Sequence, residues 1–113
     1  MKTMKKLFLL LLLALGCVLA GCAARQTVTL QTPTLVEAAC GECKFGMKGK
    51  DCELAVRIES RSYFVDGVNE KSLGDPHAAD GICNAIRQAR VTGEVRRGRF
   101  VASSFELLPA TAH

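Results

Sequence analysis

Apolar residues follow three different spacings along this chain. From Leu7 to Leu15 they are nearly unbroken, Leu-Phe-Leu-Leu-Leu-Leu-Leu-Ala-Leu. From Cys52 to Glu59 they alternate, with Leu54, Val56 and Ile58 on one side and Glu53, Arg57 and Glu59 on the other, the period of a half-buried strand. From Ala79 to Ala89 they recur at helical spacing, as Ala79, Ile82, Cys83, Ile86 and Ala89. Asp75 and Pro76 suit the start of that helix, one as cap and one in the first turn. Gly81 inside it costs about 1 kcal/mol relative to alanine, which a close packing contact would explain. Four further strand-like runs are Leu35–Cys40, Tyr63–Asp66, Arg90–Val95 and Phe100–Leu108, the last stopped by Pro109. The order β-β-β-α-β-β predicts a mainly β domain with one helix (α+β), a small OB-like five-stranded barrel. An open antiparallel sheet packed by one helix has the same elements and is the alternative.

Lys2, Lys5 and Lys6 precede the unbroken apolar run, and small residues follow it, the order of a secretory signal. The run is short of the roughly 20 apolar residues that a membrane-spanning helix needs. Leu19-Ala20-Gly21-Cys22 then resembles the lipobox of bacterial lipoproteins. That resemblance implies cleavage before Cys22, lipidation of its thiol and acylation of the new amino group, so that acyl chains such as palmitate hold the domain at a membrane. Cys17, in Ala14-Leu15-Gly16-Cys17, is a poorer match and would leave with the signal. The expected organisation is a cleaved signal over 1–21, a lipidated cysteine and polar tether over 22–34, one domain over 35–109 and a loose tail over 110–113. The expected location is the cell envelope, facing the periplasm or the exterior. Ala23 and Ala24, with no aspartate after Cys22, point to the outer membrane if the cell is Gram-negative.

Processing changes the meaning of the charge. The whole chain carries a formal +4, but removing Lys2, Lys5 and Lys6 leaves 12 basic residues against 11 acids. The basic pI therefore comes largely from the signal and does not indicate nucleic-acid binding. Arg87, Arg90, Arg96, Arg97 and Arg99 cluster near the last turn. Export argues for a solvated face or contact with anionic headgroups there, with no nucleic-acid partner.

Cysteine chemistry is the remaining signal. With Cys17 lost and Cys22 lipidated, Cys40, Cys43, Cys52 and Cys83 remain, an even set suited to disulfides in a small exported domain with few aromatics. The preferred pairing is Cys43 with Cys52 and Cys40 with Cys83. The same four thiols could instead hold Zn²⁺ or Cu⁺, with His77 and Met47 as possible additional ligands. Only one Cys-x-x-Cys pair is present where zinc ribbons have two, and this together with the compartment favours disulfides and no cofactor. A thiol-disulfide redox protein is the third reading. It is weakened because a glycine-lysine loop and a strand, rather than a helix, follow Cys43. His77 between Asp75 and Asp80 reads first as a surface residue at a capped helix start. No hydrolase elbow, phosphate loop or His-Glu-x-x-His occurs, so an enzyme is the less favoured class.

Several of these segments together, Cys40-Gly41-Glu42-Cys43, Phe45-Gly46-Met47-x-Gly49-Lys50-x-Cys52, Leu54-Ala55-Val56, Tyr63-Phe64-Val65-Asp66-Gly67 and His77-Ala78-Ala79-Asp80-Gly81-x-Cys83-Asn84-Ala85-Ile86-Arg87, resemble a family of small bacterial proteins, many with lipoprotein signals. The resemblance covers about Val36 to Leu108 and implies a shared fold and location, but no activity. The expectation is a membrane-anchored envelope lipoprotein, a disulfide-stabilised module that binds an unknown protein or small ligand.

Overall fold

The structure, a computed structural model, describes residues 27–110. The signal, Cys22 and the tail beyond Ala110 lie outside the described residues. Five strands form a closed barrel in the order β1-β2-β3-β5-β4. They are β1 (Thr29–Cys40), β2 (Leu54–Ile58), β3 (Arg61–Asp66), β4 (Arg87–Arg96) and β5 (Arg99–Leu107). One helical turn, α1 (Gly41–Lys44), follows β1, and a 3-10 turn spans Glu70–Leu73. The mainly β, OB-like barrel anticipated from the sequence is thus present. Among the described residues no helix is long and apolar enough to cross a membrane.

Closure depends on β1, which pairs with β4 from Thr29 to Ala38 and with β2 from Glu37 to Cys40, antiparallel in both cases. The strand starts at Thr29 instead of Leu35, and the ladder shifts register between Leu30 and Thr34. Pro33, which has no N–H to donate, falls inside that irregularity, where the ladder does not require one. The barrel is sealed on the other side by β3 and β5, which run parallel through Val65↔Phe100 and Asp66↔Val101. Gly93 lies at the β4 register shift with φ 152°, and a Cβ there would stand 2.2 Å from the Val101 carbonyl oxygen. Only glycine lets the two strands approach so closely at this bend.

The expected alternation is found in β2, where Leu54, Val56 and Ile58 point inward. They pack with Val36, Ala38, Val65, Ile82, Ala89, Val91 and Phe100 in one core. Ala39 and Ala55, paired across β1 and β2, are buried on the opposite face, where Gly41 of α1 lies against Ala55, Met47 and the Phe64 ring. The β2–β3 hairpin turns through Glu59 (φ 49°) and Ser60 (φ 71°), a two-residue loop with both residues left-handed. Neither residue prefers that conformation, whereas Asn-Gly does. The double change Glu59→Asn, Ser60→Gly should therefore stabilise the barrel by about 1 kcal/mol, read as a higher urea midpoint at unchanged slope.

The helix expected from Asp75 to Ala89 does not form. Residues 76–85 make successive tight turns, through Ala78 N to Asp75 O, Gly81 N to Ala78 O and Asn84 N to Gly81 O. The Asn84 amide donates to the carbonyls of His77 (2.8 Å) and Ala78 (2.9 Å), acceptors that a continuing helix would have used for its own N–H groups. From Arg87 onward the chain joins β4, because pairing with β1 places Ala89 and Val91 in the core. Ile82 is buried as the helical pattern required, but Ile86 is 45% exposed and Ala79 is exposed.

Candidate metal centre

Three chain segments meet at one end of the barrel, each bringing cysteine. Cys40 closes β1 and caps α1, accepting the Cys43 N–H on its sulfur at 3.4 Å. One helical turn between them places the two sulfurs on the same side. Cys40 N–H donates to the Ile82 carbonyl at 2.8 Å, which fixes the segment carrying Cys83. Gly41 N–H donates to the Glu53 carbonyl at 2.9 Å, which fixes the residue next to Cys52. Two consecutive backbone N–H groups thus draw the other two segments to the Cys-x-x-Cys turn. As a result the Sγ atoms of Cys40, Cys43, Cys52 and Cys83 all lie within 4.8 Å of one another.

None of the four sulfurs is bonded to another, and the expected pairs, Cys43 with Cys52 and Cys40 with Cys83, are both among those lying within 4.8 Å. Cys40 is buried, Cys52 and Cys83 are half-buried and Cys43 is exposed. Burial pushes the Cys40 thiol up from its ordinary value. Burial, and then the neighbouring sulfurs of Cys40 and Cys83, push Cys52 far up.

Glu42, which sequence reasoning passed over, braces the centre. Its Oε2 accepts the Glu53 N–H at 3.0 Å and lies 3.5 Å from the Cys40 thiol, which donates to it. Burial disfavours the Glu42 charge, but the N–H groups of Glu53 and of Glu42 itself, with the Cys40 thiol, outweigh it and hold the carboxyl below its usual range. Its other oxygen is buried without a hydrogen-bond partner. The one available sequence signal was an acid enclosed between two cysteines. On the opposite flank Arg99 pairs with both Glu53 and Asp66 and lies 5.5 Å from the Phe64 ring centroid.

His77 does not join the sulfurs. It is exposed and sits 4.0 Å from Asp75, whose carboxylate also accepts the His77 N–H. Met47 is half-buried, with its thioether against Gly41 of α1. Of the five clustered arginines, four are engaged: Arg87 with the Asp80 and Leu108 carbonyls, Arg90 with Glu106, Arg96 with Glu94 and Arg99 as above.

Gly81 holds the Cys83 segment in place. A Cβ there would fall 2.4 Å from the carbonyl oxygens of both Asp75 and Pro76. Gly81→Ala should therefore displace the turn before Cys83, destabilising the protein by about 1–3 kcal/mol, read as a lower urea midpoint.

The family described as a family of unknown function, DUF6370, matches residues 34–108. The chain belongs to that family. The matched span starts within β1 and runs to the end of β5, so Cys40, Cys43, Cys52 and Cys83 of this DUF6370 member all lie inside it. No curated protein and no solved structure matches the chain.

Proposed function

We propose that this DUF6370 protein is a lipid-anchored metal-binding module of the cell envelope, holding one thiophilic ion, Zn²⁺ or Cu⁺, between Cys40, Cys43, Cys52 and Cys83. The observation that carries this is the convergence of four free sulfurs, from three segments, within 4.8 Å of one another. A tetrahedral zinc site with Zn–S bonds near 2.3 Å has sulfur–sulfur edges of about 3.8 Å. The cluster therefore needs to contract by only about 1 Å along its longest edge to fit. Two disulfides would require no such mutual approach, since each sulfur then has one partner. The Cys43 N–H directed at the Cys40 sulfur favours its thiolate, as outer-shell donors do in metal sites.

Thiol-disulfide exchange is the weaker reading. It needs an accessible first cysteine with a lowered pKa, whereas Cys40 is buried and pushed the other way. Anchoring rests on Cys22 and its resemblance to the lipobox, and an outer-membrane position rests on the absence of aspartate after it. With four of the five clustered arginines engaged by acids and carbonyls, the proposed partners are the membrane and a protein or small ligand rather than nucleic acid.

Native intact mass of the full-length chain purified in detergent without chelator tests the centre. An excess of one zinc or copper, with Cys40, Cys43, Cys52 and Cys83 all alkylated after unfolding, is expected. A bare chain lacking four hydrogens, with those cysteines refractory to alkylation, would replace the metal with two disulfides. Radiolabelled palmitate incorporated into the wild type and lost in Cys22→Ser tests the anchor.

Affinity should also fall in acid. Binding displaces protons from thiols that burial already holds in the neutral form at Cys40 and Cys52, so lower pH favours the metal-free state. Between about pH 8 and pH 6 the apparent zinc affinity should drop by several powers of ten, measured against a chelator of known pH dependence.

A further inference from the structure

The cluster is enclosed unevenly. Cys40 is fully buried, yet Cys52 and Cys83 both lie in the wall of a cavity of about 540 Å³. The volume is in the range of small-molecule sites, roughly 300–1,000 Å³. A four-cysteine zinc centre has no vacant coordination position, so a further ligand reaches the ion only by displacing one of its sulfurs, and the two that face open space are Cys52 and Cys83.

The wall limits what could enter. Leu73, Pro76 and Ile82 make much of it apolar. Two carboxylates, Asp51 and Glu70, and one ammonium, Lys71, line the same space together with His77, and Glu70 is already held by the Leu54 N–H at 3.0 Å. Four thiolates around a divalent ion would add two negative charges beside them, so the space stays net negative even with Lys71 in its wall. A hard anion would thus meet like charge, and an ammonium has no lone pair for the ion. A neutral molecule with an apolar body and a soft donor atom meets neither obstacle.

On the reading that the four cysteines hold a metal, we propose that this cavity is a ligand site of the centre, taking a small apolar thiol whose sulfur replaces that of Cys52 or Cys83 on the ion. The incoming thiol gives up its proton as its sulfur bonds to the metal. The departing cysteine leaves the metal as a thiolate and takes up that proton. Charge and protons balance, and no oxidant or reductant is required. Cys40, which caps α1, and Cys43 within it keep the ion in place during the exchange.

The test uses the full-length protein in detergent, loaded with Co²⁺ under anaerobic conditions, with 2-phenylethanethiol as the probe. Ethylbenzene and thioglycolate serve as controls for the sulfur and for charge. The expected result is a saturable change in the cobalt d–d and sulfur-to-cobalt bands, with native mass showing protein, one Co²⁺ and one probe together. Ethylbenzene should leave the bands unchanged, and thioglycolate should need at least tenfold more reagent. Leu73→Trp, which fills the cavity, should raise the half-saturating probe concentration at least tenfold while retaining one Co²⁺. If the tryptophan variant binds no cobalt, Leu73→Phe takes its place.

A four-thiolate cobalt spectrum indifferent to the probe would overturn the ligand site and leave the metal centre standing. A response untouched by filling the cavity would place entry at the exposed Cys43 and overturn it equally. Removal of Co²⁺ without an adduct would do the same. Failure of the wild type to bind Co²⁺ at all would bring down the metal centre and this inference with it.

Discussion

Cys40→Ser should abolish metal binding and leave the barrel folded. Serine offers a hard, poorly ionised oxygen where the centre needs a soft thiolate, so stoichiometric zinc should fall below detection. Serine is also a preferred residue at a helix N-cap. It can accept the Cys43 N–H that Cys40 now accepts, so α1 keeps its cap. The loss should therefore be confined to what the ion contributes. At a free metal concentration 1,000 times the dissociation constant that contribution is about 4 kcal/mol, equivalent to a fall in Tm of more than about 15 °C for a domain of this size. Calorimetry with and without chelator checks it. The wild type stripped of metal should melt within a few degrees of the variant. If the variant melts far below the stripped wild type, Cys40 matters to the fold for a reason other than metal.

Phe100→Ala should be the most damaging single change in the core. Phe100 is fully buried and pairs with Val65 across the parallel seam and with Val95 in the β4–β5 hairpin. Its ring also lies at Gly93, where the two strands come closest. Truncation leaves a cavity where the barrel is sealed, with an expected cost of about 3–5 kcal/mol. Urea unfolding measures it. A cost below about 1 kcal/mol would mean that the site collapses freely and that β3 and β5 are not held together as described.

Much of this architecture was legible in the sequence, and the parts that were not have physical reasons. The β2 residues alternate cleanly because one face packs in the core and the other carries Glu53, Arg57 and Glu59. The start of β1 was hidden because Thr29 to Thr34 pair with β4 but are mostly exposed, leaving a polar composition that reads as a tether. The missing helix shows a competition. Ala79, Ile82, Cys83, Ile86 and Ala89 fit a helical period, but Ala89 and Val91 also fit a strand. Pairing with β1 outweighs local propensity, while the Asn84 amide takes the carbonyls of His77 and Ala78.

At the site, the four cysteines could be picked out by count alone. Their convergence could not, because it depends on the Cys40 N–H reaching Ile82 and the Gly41 N–H reaching Glu53, contacts between distant parts of the chain. Glu42 went unrecognised because its value lies in a backbone amide eleven positions away, at Glu53. His77 suggested chemistry through its acidic neighbours, yet those neighbours simply order an exposed turn.

The four cysteines proposed to hold the ion are far apart along the chain, Cys40 and Cys83 being separated by about forty positions. An ion that binds all four is therefore a reversible cross-link across half the domain. It would restrict the unfolded ensemble much as a disulfide over the same loop does, by roughly 4 kcal/mol of chain entropy, but with a strength set by how much metal the surroundings supply. Local opening of residues 67–86, the long irregular stretch joining β3 to β4, then becomes rare when metal is plentiful and frequent when it is scarce. Proteases act on such opened segments. On the proposed reading the lifetime of the protein would thus record the availability of the ion, and scarcity would remove the empty chains first.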